Sequence, residues 1–513
     1  MKNTKKFLSI MIVAIMTFCL NMFSVSADDT YTITVTNSST TVSINGKTYT
    51  AYKVFSVTYD ADEGAYTYST DSTCVDLAYS GYDSSLNTVN KVINSLNNDT
   101  NARKFGDYVY KNFIQNGSVA SSVNQGSATA SGEQAVITVP SAGYYLVFGE
   151  GDNNNGADGE KTVTSLVMLD TASPSATVKP KFDAPSLTKE IQHNDDNSWG
   201  VVGDNQVGDT VNFRLTSTVP DITGYSNYSY IIHDTLGNGL SFTTGSLEVK
   251  VNDSTALDAS YYNVSAIDQN LTVTFDVKAA IDAGVVSKSD KLYTYYKATL
   301  NSDALIAGPA VDTTNYNENT AYLEYSNNPY STTTGKTPEA KVYDWTFKYT
   351  FDKVNQKGNK VANAGFTVKN ASGDVIKFTS KGNNQYIADP NGNVTEIMTT
   401  ADGTFTLLGL DDNVKYTLEE TTVPKGYSKC ENVDLTFASS YNAAGSELST
   451  LTATVNGAKS HNDEKATIEN QSGSKLVGTG GIGTTVFYVG GGAIMAVAAV
   501  LLVTKLRMKN KNI

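Results

Sequence analysis

Cysteine is scarce: Cys19, Cys74 and Cys430 are the three in 513 residues. No two form a C-x-x-C pair, Cys19 falls in a segment expected to be removed, and the other two lie far apart. A disulfide framework is therefore not expected. Histidine is as sparse, and His193, His233 and His461 stand isolated. Neither a zinc spacing nor a Ser-His-Asp constellation can be assembled from them, so no metal, no cofactor and no conventional turnover enzyme is expected. Proline is limited to 10 residues and charged residues to 18%, which argues against a wholly disordered chain. A basic surface is missing too. The formal net charge is −14, which argues against a general binder of nucleic acid or of anionic membranes.

What the chain has in quantity is β-forming sequence. There are 31 Tyr, and Thr, Val and Ser recur throughout; these residues suit pleated, half-buried surfaces. The length implies several domains. Both ends read as targeting segments. Lys2, Lys5 and Lys6 precede an apolar run, and Val25-Ser26-Ala27 supplies a small-residue site for cleavage after Ala27, the pattern of a secretory signal over 1–27. Near the other end Val486 to Val503 is apolar and uncharged, about long enough to span a bilayer. Lys505, Arg507, Lys509 and Lys511 follow and should keep that end cytoplasmic. Gly478, Gly480 and Gly483 satisfy G-x-G-x-x-G. That motif reports a dinucleotide site only between a strand and a soluble helix, and here it precedes an apolar span.

Between the ends, changes of pattern divide the chain into three blocks. Residues 28–181 open with alternating strands. Residues 86–114 look helical, with Leu86, Val89, Ile93 and Leu96 on one face and Phe105, Tyr108 and Phe113 continuing it. The strands AVITVP and GYYLVF follow, the second apolar on both faces like a central strand. Residues 182–338 and 339–474 are runs of short strands separated by Gly, Asn and Asp turns, which predict tandem β-sandwiches. The fold class expected is mainly β, with a helical insertion in the first block. Residues 475–513 complete the chain.

Several strings resemble the major, shaft-forming pilins of Gram-positive bacteria, and together they cover nearly the whole chain. Val207-Gly208-Asp209-Thr210-Val211, Val219-Pro220, Asp234-Thr235-Leu236, Gly239-Leu240 and Tyr325-Ser326-Asn327-Asn328-Pro329 are similar to the family's middle domain. Tyr416-Thr417-Leu418-Glu419-Glu420-Thr421, with Pro424 and Gly426-Tyr427, resembles the E-box of a Cna B-type domain. Leu476-Val477-Gly478-Thr479-Gly480, ahead of the apolar run and basic tail, resembles the signal read by sortases, with Val477 where the usual motif has proline.

The resemblance implies that a Lys and an Asn side chain condense to an isopeptide within a domain, promoted by a buried acid and without a cofactor. Burial favours the neutral amine and the protonated acid that such a reaction needs. Strand phase selects candidates, because side chains alternate faces. Phe347, Tyr349, Phe351 and Lys353 share a face, as do Tyr416, Leu418 and Glu420, and Ile468 and Asn470. This nominates Lys353 and Asn470 with Glu420 as promoter. In the middle block Leu187, Lys189 and Ile191 share a face, as do Ala321, Leu323, Tyr325 and Asn327, and Tyr230, Ile232 and Asp234. This nominates Lys189 and Asn327, with Asp234 or Glu248 as the acid. Whether the first block has its own bond is left open.

Between the first two blocks lies Ala176-Thr177-Val178-Lys179-Pro180-Lys181-Phe182. Shaft pilins carry there a motif ending in Tyr-Pro-Lys. Lys181 matches its end and Lys179 replaces the Tyr, so both lysines remain candidates for accepting the Thr479 carbonyl of a neighbouring subunit. The resemblance thus implies a wall-anchored pilus backbone involved in adhesion. Its partners would be a pilus-specific sortase, copies of itself joined head to tail, minor pilins, peptidoglycan and a host surface ligand. A monomeric cell-wall-anchored adhesin is the alternative.

Overall fold

The computed structural model describes residues 30–509, apart from 38–41, 78–81, 84, 116–122, 154–158, 162–164, 171, 181–183, 223–224, 310–312, 330, 462–464 and 474–481. The expected cleavage site at Ala27 lies outside the described residues, as do Lys181 and the string Leu476, Val477, Gly478, Thr479 and Gly480. The described chain is mainly strand, as the composition predicts, arranged in successive β-sheet units.

In the first block a five-stranded sheet is built around Thr48–Asp60 and Gly143–Phe148. Gly143–Phe148, the GYYLVF run, is hydrogen-bonded on both sides, by Thr48–Asp60 and Ser165–Leu169, and its first five residues are buried. A three-stranded sheet sets Tyr31–Thr36 between Ser175–Val178 and Gln134–Val139. The predicted helical stretch is two helices, Val89–Ser95 and Asp99–Val109, capped by Thr88 and Asn98, with a wider turn at Tyr110–Ile114. The break between them resets the helical phase. Val92, Phe105 and Val109 are the fully buried positions, while Val89 and Ile93 are only partly covered.

The middle block is a sandwich of two seven-stranded sheets, each an ordered path of six strands with a seventh, Leu240–Phe242 in the first and Thr334–Lys336 in the second, paired to its side. One sheet orders Trp199–Gly200, Leu187–Gln192, Thr210–Thr218, Lys291–Leu300, Glu248–Val251 and Thr255–Ala256. The other orders Val202–Asp204, Ala340–Trp345, Asn317–Ser326, Tyr230–Leu236, Asn270–Phe275 and Tyr262–Ile267. The strand Ala340–Trp345, which the sequence predicts to open the third block, therefore belongs to the second, paired with Asn317–Ala321. Pro338 marks a loop inside this sandwich and not its edge. Only Thr346 separates Trp345 from the next strand, Phe347–Asn355, which lies in the C-terminal sandwich. Thr346 is fully buried and its hydroxyl donates to the Leu410 carbonyl at 3.1 Å. One continuous core runs through both sandwiches, as expected where no linker intervenes.

In the C-terminal sandwich Phe347–Asn355 lies between Thr404–Leu410 and the edge strand Lys465–Asn470, antiparallel to the first and parallel to the second. Tyr416–Thr422 lies in the opposing six-stranded sheet. Further along the chain Ile482–Lys509 is a helix, of which Thr485–Met508 is long and apolar enough to cross a membrane.

Candidate functional sites at two buried lysines

Phe347–Asn355 alternates between buried and half-exposed positions until Lys353, placing Phe347, Tyr349, Phe351 and Lys353 on the inner face. Lys353 is 0% exposed. An ammonium there would forfeit its hydration, so its neighbours must answer for it. Its Nζ meets Asn470 Oδ1 and lies 3.5 Å from Glu420 Oε1. Asn470 Nδ2 donates to the same Glu420 oxygen at 2.8 Å, and the Cys430 backbone N–H donates to Glu420 Oε2 at 2.8 Å. The Phe366 ring covers the amine, 5.4 Å from Nζ to its centre. Glu420 and Asn470 are 1% and 0% exposed. The three predicted residues of this site therefore meet in a dry pocket. Glu419, one residue out of phase, faces outward as predicted, and its bonds to Lys369 and Lys429 hold its carboxyl at about 2.

In the middle sandwich Lys189 points inward between Leu187 and Ile191. Its Nζ donates to Asp234 Oδ2 at 2.6 Å and to the Tyr296 hydroxyl at 2.8 Å, and lies 5.3 Å from the centre of the Phe213 ring. Burial pushes the Lys189 amine below its usual range, against the pull of Asp234, and so favours the nucleophilic form. Asp234 is buried in phase with Tyr230 and Ile232. The other candidate acid, Glu248, is exposed and pairs with Lys250 at 2.9 Å.

Asn327 sits elsewhere, its side-chain oxygen accepting from the Thr333 hydroxyl at 3.0 Å. Asp234 stands opposite Ala321 in the register of the two strands. Asn327 is six residues along from that point, roughly 20 Å at strand rise. Asn319 is two residues from it in the other direction, is fully buried, and donates to the Tyr296 hydroxyl at 2.6 Å. The amide gathered at Lys189 and Asp234 is thus Asn319. The signal for it was in the sequence, because Asn319 shares the phase of Ala321 and Leu323. Tyr296 was signalled more weakly, by the alternation of Leu292, Thr294, Tyr296 and Ala298.

Of the two linker lysines, Lys179 is exposed just after the strand Ser175–Val178. A group of carboxylates lies where the two sandwiches meet: Asp195, Asp204 and Asp412 bring one oxygen each within 4.8 Å of one another.

Known proteins resemble this chain in sequence and in fold. Residues 347–448 match the family model described as the SpaA prealbumin-like fold domain. The trypsin-resistant surface T6 protein of Streptococcus pyogenes serotype M6 is 24% identical over 317 residues, 56% of this chain and 53% of that protein. The chain therefore spans about half the length of the curated relative it matches. The solved T6 backbone pilin of the same serotype, described as a modular three-domain structure, superposes with a TM-score of 0.54 at 17% identity. That superposition covers 88% of this chain and all of that one. The full-length major pilin SpaD of Corynebacterium diphtheriae covers 88% of this chain and 99% of its own at 17% identity, with a TM-score of 0.47. The matched names are those of surface structural proteins, not of enzymes.

Proposed function

We propose that this chain, whose fold is that of the Gram-positive backbone pilins, is the structural shaft subunit of a covalently polymerised surface pilus, stiffened by isopeptide bonds at two of its buried lysines, Lys353 and Lys189. The observation that carries the reading is the contact of Lys353, Asn470 and Glu420, three polar side chains with no access to water. Left unreacted, a buried amine beside a buried carboxyl costs several kcal/mol of desolvation. Condensation removes that cost. The Lys353 amine attacks the Asn470 amide carbon, a neutral amide replaces both groups, and ammonia leaves. Glu420 touches the nitrogen that departs and lies beside the one that attacks, which suits it to move the proton between them. Lys189, Asp234 and Asn319 are proposed to do the same in the middle sandwich.

The positions suit a load-bearing rod. Lys353 lies in the first strand of the C-terminal sandwich and Asn470 in its last, so tension entering at one would leave at the other through a covalent bond. Subunits would be joined by Lys181, or by Lys179, attacking the acyl-sortase formed at Thr479. Pro180 between them withholds a backbone donor that could tie the segment into a sheet. The apolar helix Ile482–Lys509 would hold the precursor in the membrane until cleavage.

Two measurements test this. The intact mass of the secreted chain should fall short by two ammonia molecules, with peptides joined at Lys353–Asn470 and Lys189–Asn319. Surface extracts boiled in detergent should show a high-mass ladder that disappears in Lys181→Ala or, failing that, in Lys179→Ala. A single band, with monomer on the wall, would replace the shaft reading by that of an anchored adhesin.

A further inference from the structure

The middle site holds a residue that the reaction so far described does not use. The Tyr296 side chain is 1% exposed. Its hydroxyl oxygen lies 2.8 Å from Lys189 Nζ, 2.7 Å from Asp234 Oδ2 and 2.6 Å from Asn319 Nδ2. Two lone pairs and one proton are thereby all engaged: the hydroxyl accepts from both nitrogens and donates to the carboxyl.

Condensation of an amine with a carboxamide moves one hydrogen in net. The attacking nitrogen loses it, and the departing nitrogen gains it to become ammonia. Tyr296 is the group that touches both nitrogens. We propose that Tyr296 is a catalytic residue of the middle site, relaying that proton between Lys189 Nζ and Asn319 Nδ2 through Asp234; this rests on the isopeptide reading of the site.

As the Nζ–Cγ bond forms, Nζ gives a proton to the Tyr296 oxygen, and Tyr296 passes its own to Asp234 Oδ2. Asp234 gives its opposite proton, on Oδ1, to the Asn319 carbonyl oxygen. On collapse the carbonyl proton returns to Oδ1, the proton on Oδ2 returns through Tyr296 to Nδ2, the Cγ–Nδ2 bond breaks and ammonia leaves. Asp234 and Tyr296 end as they began. Two further observations fit. Asp234 Oδ1 and Asn319 Oδ1 are both buried without a hydrogen-bond partner, and a proton on Asp234 directed to Asn319 would give each of them one. Burial raises the Tyr296 hydroxyl well above its usual range, so it serves as a neutral relay and not as a phenolate.

The C-terminal site shows why only one of the two needs such a group. Glu420 is longer than aspartate by one methylene, and its Oε1 alone takes the Asn470 amide at 2.8 Å while lying 3.5 Å from Lys353 Nζ. That site is the internal control. In the full chain, pulse-labelled and followed by peptide mapping, Tyr296→Phe should slow formation of the Lys189–Asn319 joined peptide by about 100-fold, at the low end of proton-transfer catalysis. The Lys353–Asn470 peptide should appear at the wild-type rate. A fluorinated tyrosine at position 296 keeps the shape and the hydrogen bonds but makes the phenol more acidic. The rate should follow that acidity, which a purely structural role would not produce. If both variants join Lys189 to Asn319 at the wild-type rate, the relay is overturned. If the wild-type chain yields the C-terminal joined peptide and no Lys189–Asn319 peptide, the reading of the middle site fails before the relay is in question.

Discussion

In the C-terminal sandwich Lys353 and Asn470 stand on neighbouring parallel strands of one sheet, with Glu420 on the sheet opposite. In the middle sandwich Lys189 and Tyr296 lie on one sheet, and Asp234 and Asn319 on the other. A bond in the first place ties an edge strand to its neighbour. A bond in the second staples two sheets together through the core. The difference follows from where each lysine can look. Lys353 has an inward-facing asparagine diagonally beside it, since its register partner is Ile468 and Asn470 is two residues on. Lys189 pairs with Leu215 in its own sheet and finds its polar partners only across the core. One chemistry can therefore guard against two failures, the peeling of an edge strand and the sliding of two sheets, provided a buried carboxyl reaches both nitrogens, directly or through a hydroxyl.

Removing the promoter of the edge-strand bond should have the largest effect. Lys465–Asn470 is paired on one side only, so without the bond it is the strand most easily lost under load. Glu420→Ala should retain one ammonia more than wild type. It should lose roughly 4–5 kcal/mol, the loop-closure contribution of a link spanning a loop of this length, and become cleavable by trypsin within the C-terminal sandwich. A mutant with the wild-type mass and resistance would show that Glu420 does not promote a bond.

The sheet-to-sheet bond offers a finer cut, because Asn319 and Asn327 share one phase, the first within the strand Asn317–Ser326 and the second just beyond it. Asn319→Ala should prevent the middle bond and cost a similar 4–5 kcal/mol by the same loop argument. Asn327→Ala should leave the bond intact and cost about 1 kcal/mol, the worth of its hydrogen bond to Thr333. Asp234→Ala should behave like Asn319→Ala, and Glu248→Ala like wild type. Denaturant unfolding together with peptide mapping separates the four. A joined Lys189–Asn327 peptide would reverse the assignment.

The same contrast explains how much could be read from the chain. Alternation alone put Lys353, Glu420 and Asn470 on inner faces, and the structure brings all three together, because within one sandwich phase and contact nearly coincide. It also put Lys189 and Asp234 inside. It named Asn327 where the structure gathers Asn319, since phase says which face a residue occupies and nothing about its height on that face. Height is set by register, and Asp234 pairs with Ala321 between strands that are not consecutive in the chain. Tyr296 went unnoticed for a related reason: a buried tyrosine in a strand reads as core until its hydroxyl is seen to have partners. The strand Ala340–Trp345 was given to the third block because the boundary was drawn at Pro338, whereas the chain passes from one sheet to the next with a single residue, Thr346, between them.

That junction yields the smallest effect and a way to measure the two sandwiches apart. The seam beside it is lined by carboxyls that burial keeps protonated. Asp344, fully buried and bonded to Asn205 at 2.7 Å, is pushed up to about 7 by burial. The next residue, Trp345, reaches the Gly445 carbonyl of the C-terminal sandwich at 3.2 Å. Asp204 is raised as well, first by burial and then by Asp412, and Asp411 first by burial and then by Asp204 and Asp412. Tyr441 reaches Asp204 across the seam at 3.3 Å, and Asn194 reaches Asp411 at 2.7 Å. An acid whose folded value is raised keeps its proton in the fold at a pH where the unfolded chain has released it. Its contribution is complete below the unfolded value near 4 and is lost as pH climbs to the folded value. For Asp344 the loss is roughly 4 kcal/mol, reached near pH 7. Calorimetry should find the middle and C-terminal sandwiches melting together at pH 5 and in two steps at pH 8. Asp344→Asn, a neutral isostere, should flatten that dependence while leaving both joined peptides in place. Two transitions already separate at pH 5, or a slope unchanged in Asp344→Asn, would show that the sandwiches are independent and that the seam carries no load between them.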